Sequence, residues 1–279
     1  DHYRTRMSHT MEVAQVARTV TRALRLNESL TEAIVMGHDL GHTPFGHAGE
    51  KVLAKLMPDG FHHVKQSLRV VEVLEREGRG LNLSIEVKDG ILKHSKGKGH
   101  IISDNANLMA MTLEGQIVRI SDIVAYVNHD LDDAIRGKVV NQEEVPGDIL
   151  ATLGPTHSDR IARMVLDMVE SSRLEDKRQI RMSEEILGAL IALRDFLYER
   201  VYERPAIRAE FEKAQRIIAE LWAYFHAHLD EFRAKHWPKG IPESEAPSRA
   251  IADFITGMTD RYAMRIYEEY FLPRRWMVF

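Results

Sequence analysis

The segment GHDLGHTPFGHAGE, Gly37 to Glu50, sets His38, Asp39, His42, His47 and Glu50 among four glycines and a proline. Imidazole beside carboxylate in a broken helix is a pattern for metal binding or proton transfer. His38 and Asp39 are consecutive, and neighbours on a helix point about 100° apart. Both reach one ion only over the groove between them, with other helices supplying the remaining ligands. His9, in the apolar pattern of the first helix, is a candidate, although a core histidine bonded to backbone reads the same way. Asp122 sits in the apolar run ISDIVAYVNHD, where an ionised carboxylate needs a partner or a metal. The chain has no cysteine, so a site of imidazoles and carboxylates would suit Mn²⁺, Fe²⁺, Zn²⁺, Ni²⁺ or Mg²⁺.

Other spacings add to this set. His47 and Glu50 are three apart and share a helix face, so the carboxylate can set the tautomer and basicity of the imidazole. Glu50 alone would also suit the dipole of a helix start. Arg6 precedes His9 by one turn and can project the same way to pair with phosphate oxygens, or stand solvated. Asp122, Tyr126 and Asp130 recur at four-residue intervals and line one face, where the tyrosine alone would pass as core. Of the 14 histidines, His2, His9, His38, His42, His47, His62 and His63 crowd the first quarter. His94, in ILKHSKGKGH beside a lysine-rich loop, receives no role.

The elements that must position these groups are helical. Apolar residues recur with helical period nearly everywhere, and no long alternating strand run or solenoid repeat interrupts them. Helices are expected over Arg4 to Leu26, Leu30 to Asp39, Ala48 to Met57, His63 to Glu77, Ile85 to His94 and Leu113 to Arg136. A turn-rich stretch, Lys138 to Gly154, is the expected boundary between a site-bearing segment, residues 1–140, and a helical C-terminal segment, residues 141–279. The latter should hold helices at His157 to Arg173, Ser183 to Tyr202, Ile207 to Phe232 and Pro247 to Phe271. The fold class is all-α. Net charge is -4 over 279 residues, which offers no basic field for nucleic acid, so an anionic substrate would need local charge or a metal. No apolar run approaches the roughly 18 residues of a membrane span, and DHYRTRMSHT lacks a signal-peptide pattern. A cytoplasmic location is the expectation.

His9, His38–Asp39 and Asp122, in that order on helices, resemble the H…HD…D pattern of the HD-domain superfamily of metal-dependent phosphohydrolases. RTRMSHTMEVAQVAR, GHDLGHTPFGHAGE, FHHVKQSLRVVE and ISDIVAYVNHDLDDAIR are similar to deoxyguanosinetriphosphate triphosphohydrolases and their dNTPase relatives. The resemblance implies an HD-domain helical fold with a C-terminal extension and His9, His38, Asp39 and Asp122 as ligands of a divalent metal. It implies His47 and Glu50 in catalysis, with His63 a second catalytic histidine beside the α-phosphate. Val64 replaces the asparagine usual in the family's F-x-H-N-x-Q-S. It further implies Arg6 and His42 on phosphate, Tyr126 against the deoxyribose and Asp130 on the 3′-hydroxyl. The implied reaction releases a deoxynucleoside and inorganic triphosphate. Homo-oligomers, hexamers or tetramers, are usual in the family, and some members respond to nucleotides or single-stranded DNA. Members usually carry a basic segment ahead of the DHYRTR motif that contributes substrate contacts. An HD-type 5′-nucleotidase or phosphodiesterase, and a dNTP-sensing module without turnover, are the alternatives.

Overall fold

The computed structural model describes residues 6–95, 100–103, 105–174 and 179–273. Arg4, His2 and the lysine–glycine stretch 96–99 lie outside them. Among the described residues there are helices and no strands, as the period predicts. They run α1 (Arg6–Ala23), α2 (Glu28–His38), α3 (His47–Leu56), α4 (His63–Arg69), α5 (Glu75–Gly78), α6 (Ile85–Lys93), α7 (Leu113–Arg136), α8 (Gly147–Leu153), α9 (His157–Leu174), α10 (Glu184–Leu197), α11 (Pro205–Ala227), α12 (Leu229–His236), α13 (Pro247–Thr256) and α14 (Asp260–Phe271).

Several helices end where local chemistry dictates. The side chains of Asn27, Ser84, Thr112, Ser183 and Thr259 accept from the backbone N–H three residues on and start α2, α6, α7, α10 and α14. The single helix expected over Ile207 to Phe232 breaks at His228, whose φ of -120° and ψ of 51° are non-helical. That expected over Pro247 to Phe271 is interrupted between Gly257 and Thr259, where Thr259 caps a new helix. The stretch expected as turns, Lys138 to Gly154, includes the two-turn α8. Past Arg69 the backbone relaxes into a π-helical turn, Val70–Leu74, and Arg76 and Glu77 then take left-handed conformations.

The chain divides into two compact units that interleave in sequence. One comprises residues 1–39 and 84–207, the other residues 40–83 and 208–279. In the first unit α7 is the central helix, packed by α1, α2, α6, α9 and α10. It is buried nearly all round, which is the property of a helix enclosed by others. Helices α2 and α6 cross closely because each offers a glycine at the contact. A Cβ on Gly37 would lie 2.4 Å from Ile91 Cδ1, and one on Gly90 would lie 2.6 Å from Ile34 Cδ1. That crossing brings the ends of α2 and α6, and hence His38 and His94, together. The second unit has its own apolar core, in which Leu53, Leu221, Phe225, Phe232, Ile251 and Ile255 are almost wholly buried. No helix among the described residues is long and apolar enough to cross a membrane.

Candidate functional site

Within the first unit, α1, the α2 C-terminus and α7 bring His9, His38, Asp39 and Asp122 into one cluster. His9 Nε2 lies 3.0 Å from Asp122 Oδ1 and 3.8 Å from Asp39 Oδ2. His38 Nε2 lies 3.5 Å from Asp39 Oδ2 and 3.8 Å from Asp122 Oδ1. One ligand atom each from His9, His38 and Asp39 fall within 4.8 Å of one another, a grouping able to hold a metal ion. The donors also fit such an ion electronically. The fully buried His38 gives its Nδ1 proton to the Val35 carbonyl at 2.6 Å, which leaves the lone pair of the neutral ring on Nε2. Burial pushes the His38 pKa below its ordinary value and favours that neutral form. His9 Nδ1 is buried without a hydrogen-bond partner. Burial would also depress His9, but the hydrogen bond and charge of Asp122, with the charge of Asp39, raise it. Burial would raise Asp122, yet the hydrogen bond from His9 holds its carboxyl low. Two carboxylates facing three imidazoles supply the oxygen and nitrogen donors that a divalent cation takes.

The third of those imidazoles, His94, was given no role by sequence reasoning. It stands just past α6 with its Nε2 3.5 Å from Asp39 Oδ1. Its local sequence carries no signal, because the Gly37–Gly90 crossing brings it there.

From Ser121 to Asp130, every residue is buried except Asp122, Tyr126 and Asp130. The four-residue spacing therefore does present one half-open strip on α7. Burial and the Asp122 charge raise the Tyr126 hydroxyl pKa and keep it protonated. Asp130 accepts from the Tyr202 hydroxyl and pairs with His129 Nε2 at 3.1 Å, partners that the spacing did not reveal. Arg6 is exposed at the start of α1, one turn before His9.

A charged network extends from this strip. Glu12 bridges His129 Nδ1 at 3.2 Å and His157 Nε2 at 3.0 Å, and His157 Nδ1 meets Asp132 at 3.0 Å. Hydrogen bonds to Asp132 and Glu12 raise the His157 pKa from 6.5 to about 9. A raised pKa means that the proton binds the folded state more tightly. Its stabilisation is therefore complete below pH 6.5 and lost as pH rises through about 9. The melting temperature should fall across that window, and His157→Gln should flatten the fall, as thermal denaturation at a series of pH values would show.

The second unit holds His42, His47, Glu50 and His63. Glu50 on α3 accepts from the His63 backbone N–H at 2.9 Å and from His63 Nδ1 at 2.9 Å. His47 Nδ1 lies farther off, 3.6 Å from Glu50, with an exposed ring. The expected His47–Glu50 pair shares a face, but the tighter partner of the carboxylate is His63. Burial would raise Glu50, whereas hydrogen bonds from His47 and His63 hold its carboxyl far below the usual range. His42 stacks flat on His63, with ring centroids 4.1 Å apart. His63 thus gains from Glu50 and His42 a support that owes nothing to position 64. The turn between His42 and His47 is held by Thr43 Oγ1 donating to the Gly46 carbonyl, while the left-handed Phe45 donates its N–H to Asp260. Gly41 lies so close to α4 that a Cβ would fall 2.1 Å from the Ser67 nitrogen.

The histidine–aspartate cluster of the first unit has the donor types of an HD-type phosphohydrolase, and comparison with known proteins gives that family. The HD domain matches residues 6–127, and the phosphohydrolase-associated domain matches residues 180–269. A deoxyguanosinetriphosphate triphosphohydrolase-like protein of Caldanaerobacter subterraneus subsp. tengcongensis is 52% identical over 276 residues, covering 99% of this chain and 77% of the relative. Proteins of the same description from Desulfatibacillum aliphaticivorans and Clostridium tetani are 49% and 41% identical, covering 98% of this chain and 79% and 78% of their own lengths. The chain belongs to the deoxyguanosinetriphosphate triphosphohydrolase-like family of HD-domain phosphohydrolases.

Proposed function

We propose that this chain hydrolyses deoxynucleoside triphosphates between the 5′-oxygen and the α-phosphorus, releasing a deoxynucleoside and inorganic triphosphate. The observation that carries the reading is the convergence of His9, His38, Asp39 and Asp122 at the head of the half-open Asp122–Tyr126–Asp130 strip. The names of the relatives support dGTP as one substrate.

His9, His38, Asp39 and Asp122 would hold a divalent cation, of the Mn²⁺, Mg²⁺, Fe²⁺, Ni²⁺ or Zn²⁺ type. When bound, such an ion polarises a phosphate oxygen and lowers the pKa of water. Arg6 pairs with phosphate oxygens as a charge-assisted donor, and His42 serves the same phosphates. Glu50 holds the Nδ1 proton of His63, so the ring presents Nε2 to accept a proton or a hydrogen bond. His47, exposed beside Glu50, exchanges protons with solvent and the leaving group. Tyr126 packs against the deoxyribose and crowds a 2′-hydroxyl. Asp130 accepts from the 3′-hydroxyl with lone pairs left over from Tyr202 and His129. The family reading extends to a cytoplasmic homo-oligomer, hexameric or tetrameric, with a nucleotide or single-stranded DNA as effector.

Chromatography of the products from each dNTP, with Mn²⁺ or Mg²⁺, tests the reaction. Triphosphate and deoxynucleoside are expected. Release of orthophosphate or of a nucleoside monophosphate would instead place the chain with nucleotidases or phosphodiesterases. Tight dNTP binding without turnover under any metal would make it a sensing module. His47→Ala should lower turnover roughly 100-fold with metal content unchanged. Wild-type turnover in that variant would remove His47 from proton transfer.

A further inference from the structure

We propose that His94 Nε2 is a further protein ligand of the metal centre, alongside His9, His38, Asp39 and Asp122. This inference rests on the metal-centre reading above and adds a residue to it.

His94 is 2% exposed. A histidine so deeply buried is held by specific partners, and those of His94 are the partners of a ligand. Its Nδ1 donates to the Ile91 carbonyl at 2.7 Å, three residues back along the helix. His38 does the same to Val35 at 2.6 Å. In both rings, a proton committed to backbone at Nδ1 places the neutral lone pair on Nε2, the arrangement typical of metal-bound imidazole.

The two rings face opposite oxygens of one carboxylate. His38 Nε2 is 3.5 Å from Asp39 Oδ2, and His94 Nε2 is 3.5 Å from Asp39 Oδ1. The ring centroids are 5.0 Å apart and the planes nearly perpendicular. A charge-assisted hydrogen bond would draw the atoms to about 2.7–2.9 Å. Two donor atoms on a common ion, with bonds of about 2.1 Å, stand about 3.0 Å apart at a right angle and about 3.4 Å apart tetrahedrally. The 3.5 Å spacings are longer than a hydrogen bond and close to the separation of two donors on one ion. Asp39 would then offer one oxygen on the His38 side and one on the His94 side.

The test is pulsed electron paramagnetic resonance of the full chain loaded with Mn²⁺, which counts imidazole nitrogens bound to the ion. Three are expected in the parent chain, from His9, His38 and His94, and two in His94→Gln. Calorimetric titration should show Mn²⁺ affinity lower by about 10-fold or more in that variant, with the melting temperature of the metal-free protein little changed. A parent count of two, or a count that His94→Gln leaves unaltered, would overturn the inference while leaving the metal centre standing. A parent count of two overturns the inference even where the variant fails to fold. A parent chain that takes up no Mn²⁺ defeats the metal-centre reading itself, and the inference with it.

Discussion

Asp39→Ala is expected to abolish both metal retention and turnover, with hydrolysis falling at least about 1,000-fold. Asp39 is the group on which the first-unit cluster turns. Its Oδ2 faces His9 at 3.8 Å and His38 at 3.5 Å, and its Oδ1 faces His94 at 3.5 Å. Removing it takes one of two negative charges from a cluster of imidazoles, and a lost ligand costs several kcal/mol of charge stabilisation at the reacting phosphate. A loss of about 4 kcal/mol corresponds to about 1,000-fold in rate. Asp39→Asn separates charge from shape, since it keeps the volume and one acceptor oxygen. Metal content by mass spectrometry and single-turnover hydrolysis should fall in both variants. An Asp39→Asn chain with native metal affinity and native rate would show that neither role belongs to this carboxylate.

Glu50→Gln is expected to lower turnover between about 100-fold and 1,000-fold while leaving metal affinity intact. Glu50 receives both the backbone N–H and the ring Nδ1 of His63 at 2.9 Å, and these hydrogen bonds keep it ionised throughout the neutral range. A glutamine has one acceptor and one donor end. With its oxygen in the place of Oε1 it still accepts from both the backbone N–H and Nδ1, but the negative charge and the second Nδ1 contact, 3.1 Å to Oε2, are lost, so the ring is held less firmly and is less basic at Nε2. Loss of rate with unchanged Mn²⁺ binding by calorimetry, and a displaced pH–rate profile, is the expected signature. The direction of the pH effect on stability is equally defined. The depressed Glu50 pKa stabilises the fold above the ordinary carboxylate value of 4.5, and that stabilisation is lost as the solution is made more acid than this. Glu50→Gln should therefore be less stable than the parent at neutral pH and should lose less stability on acidification. Native kinetics in the variant would assign the Glu50–His63 contact to packing alone.

Residue type and spacing carried the helical class, the chemistry of the ligand set and the one-sided strip on α7. Helical period is a local property, and a four-residue interval puts Asp122, Tyr126 and Asp130 on one face wherever the helix packs. The resemblance of the order H…HD…D to HD-domain proteins picks out His9, His38, Asp39 and Asp122, which the fold gathers into one cluster. Interruptions within long apolar patterns were less legible. Both halves of the pattern keep the period across His228 and across Gly257–Thr259, so only backbone conformation and capping separate α11 from α12 and α13 from α14. The interleaving of two compact units, which changes between Asp39 and Leu40, has no one-dimensional signature at all.

Tertiary structure alone decided the pairings. The sequence matched Glu50 with His47 because they are neighbours on a helix, but the fold gave the shorter contacts to His63, thirteen residues away on another element. It placed Tyr202 on Asp130 across seventy-two residues, and it brought His94 to the second oxygen of Asp39. The reason is physical. Periodicity states which face a side chain occupies, whereas the distance between two side chains on different helices depends on how closely their backbones cross. For His94 and Asp39 that distance is governed at Gly37 and Gly90, two positions that carry no chemistry of their own.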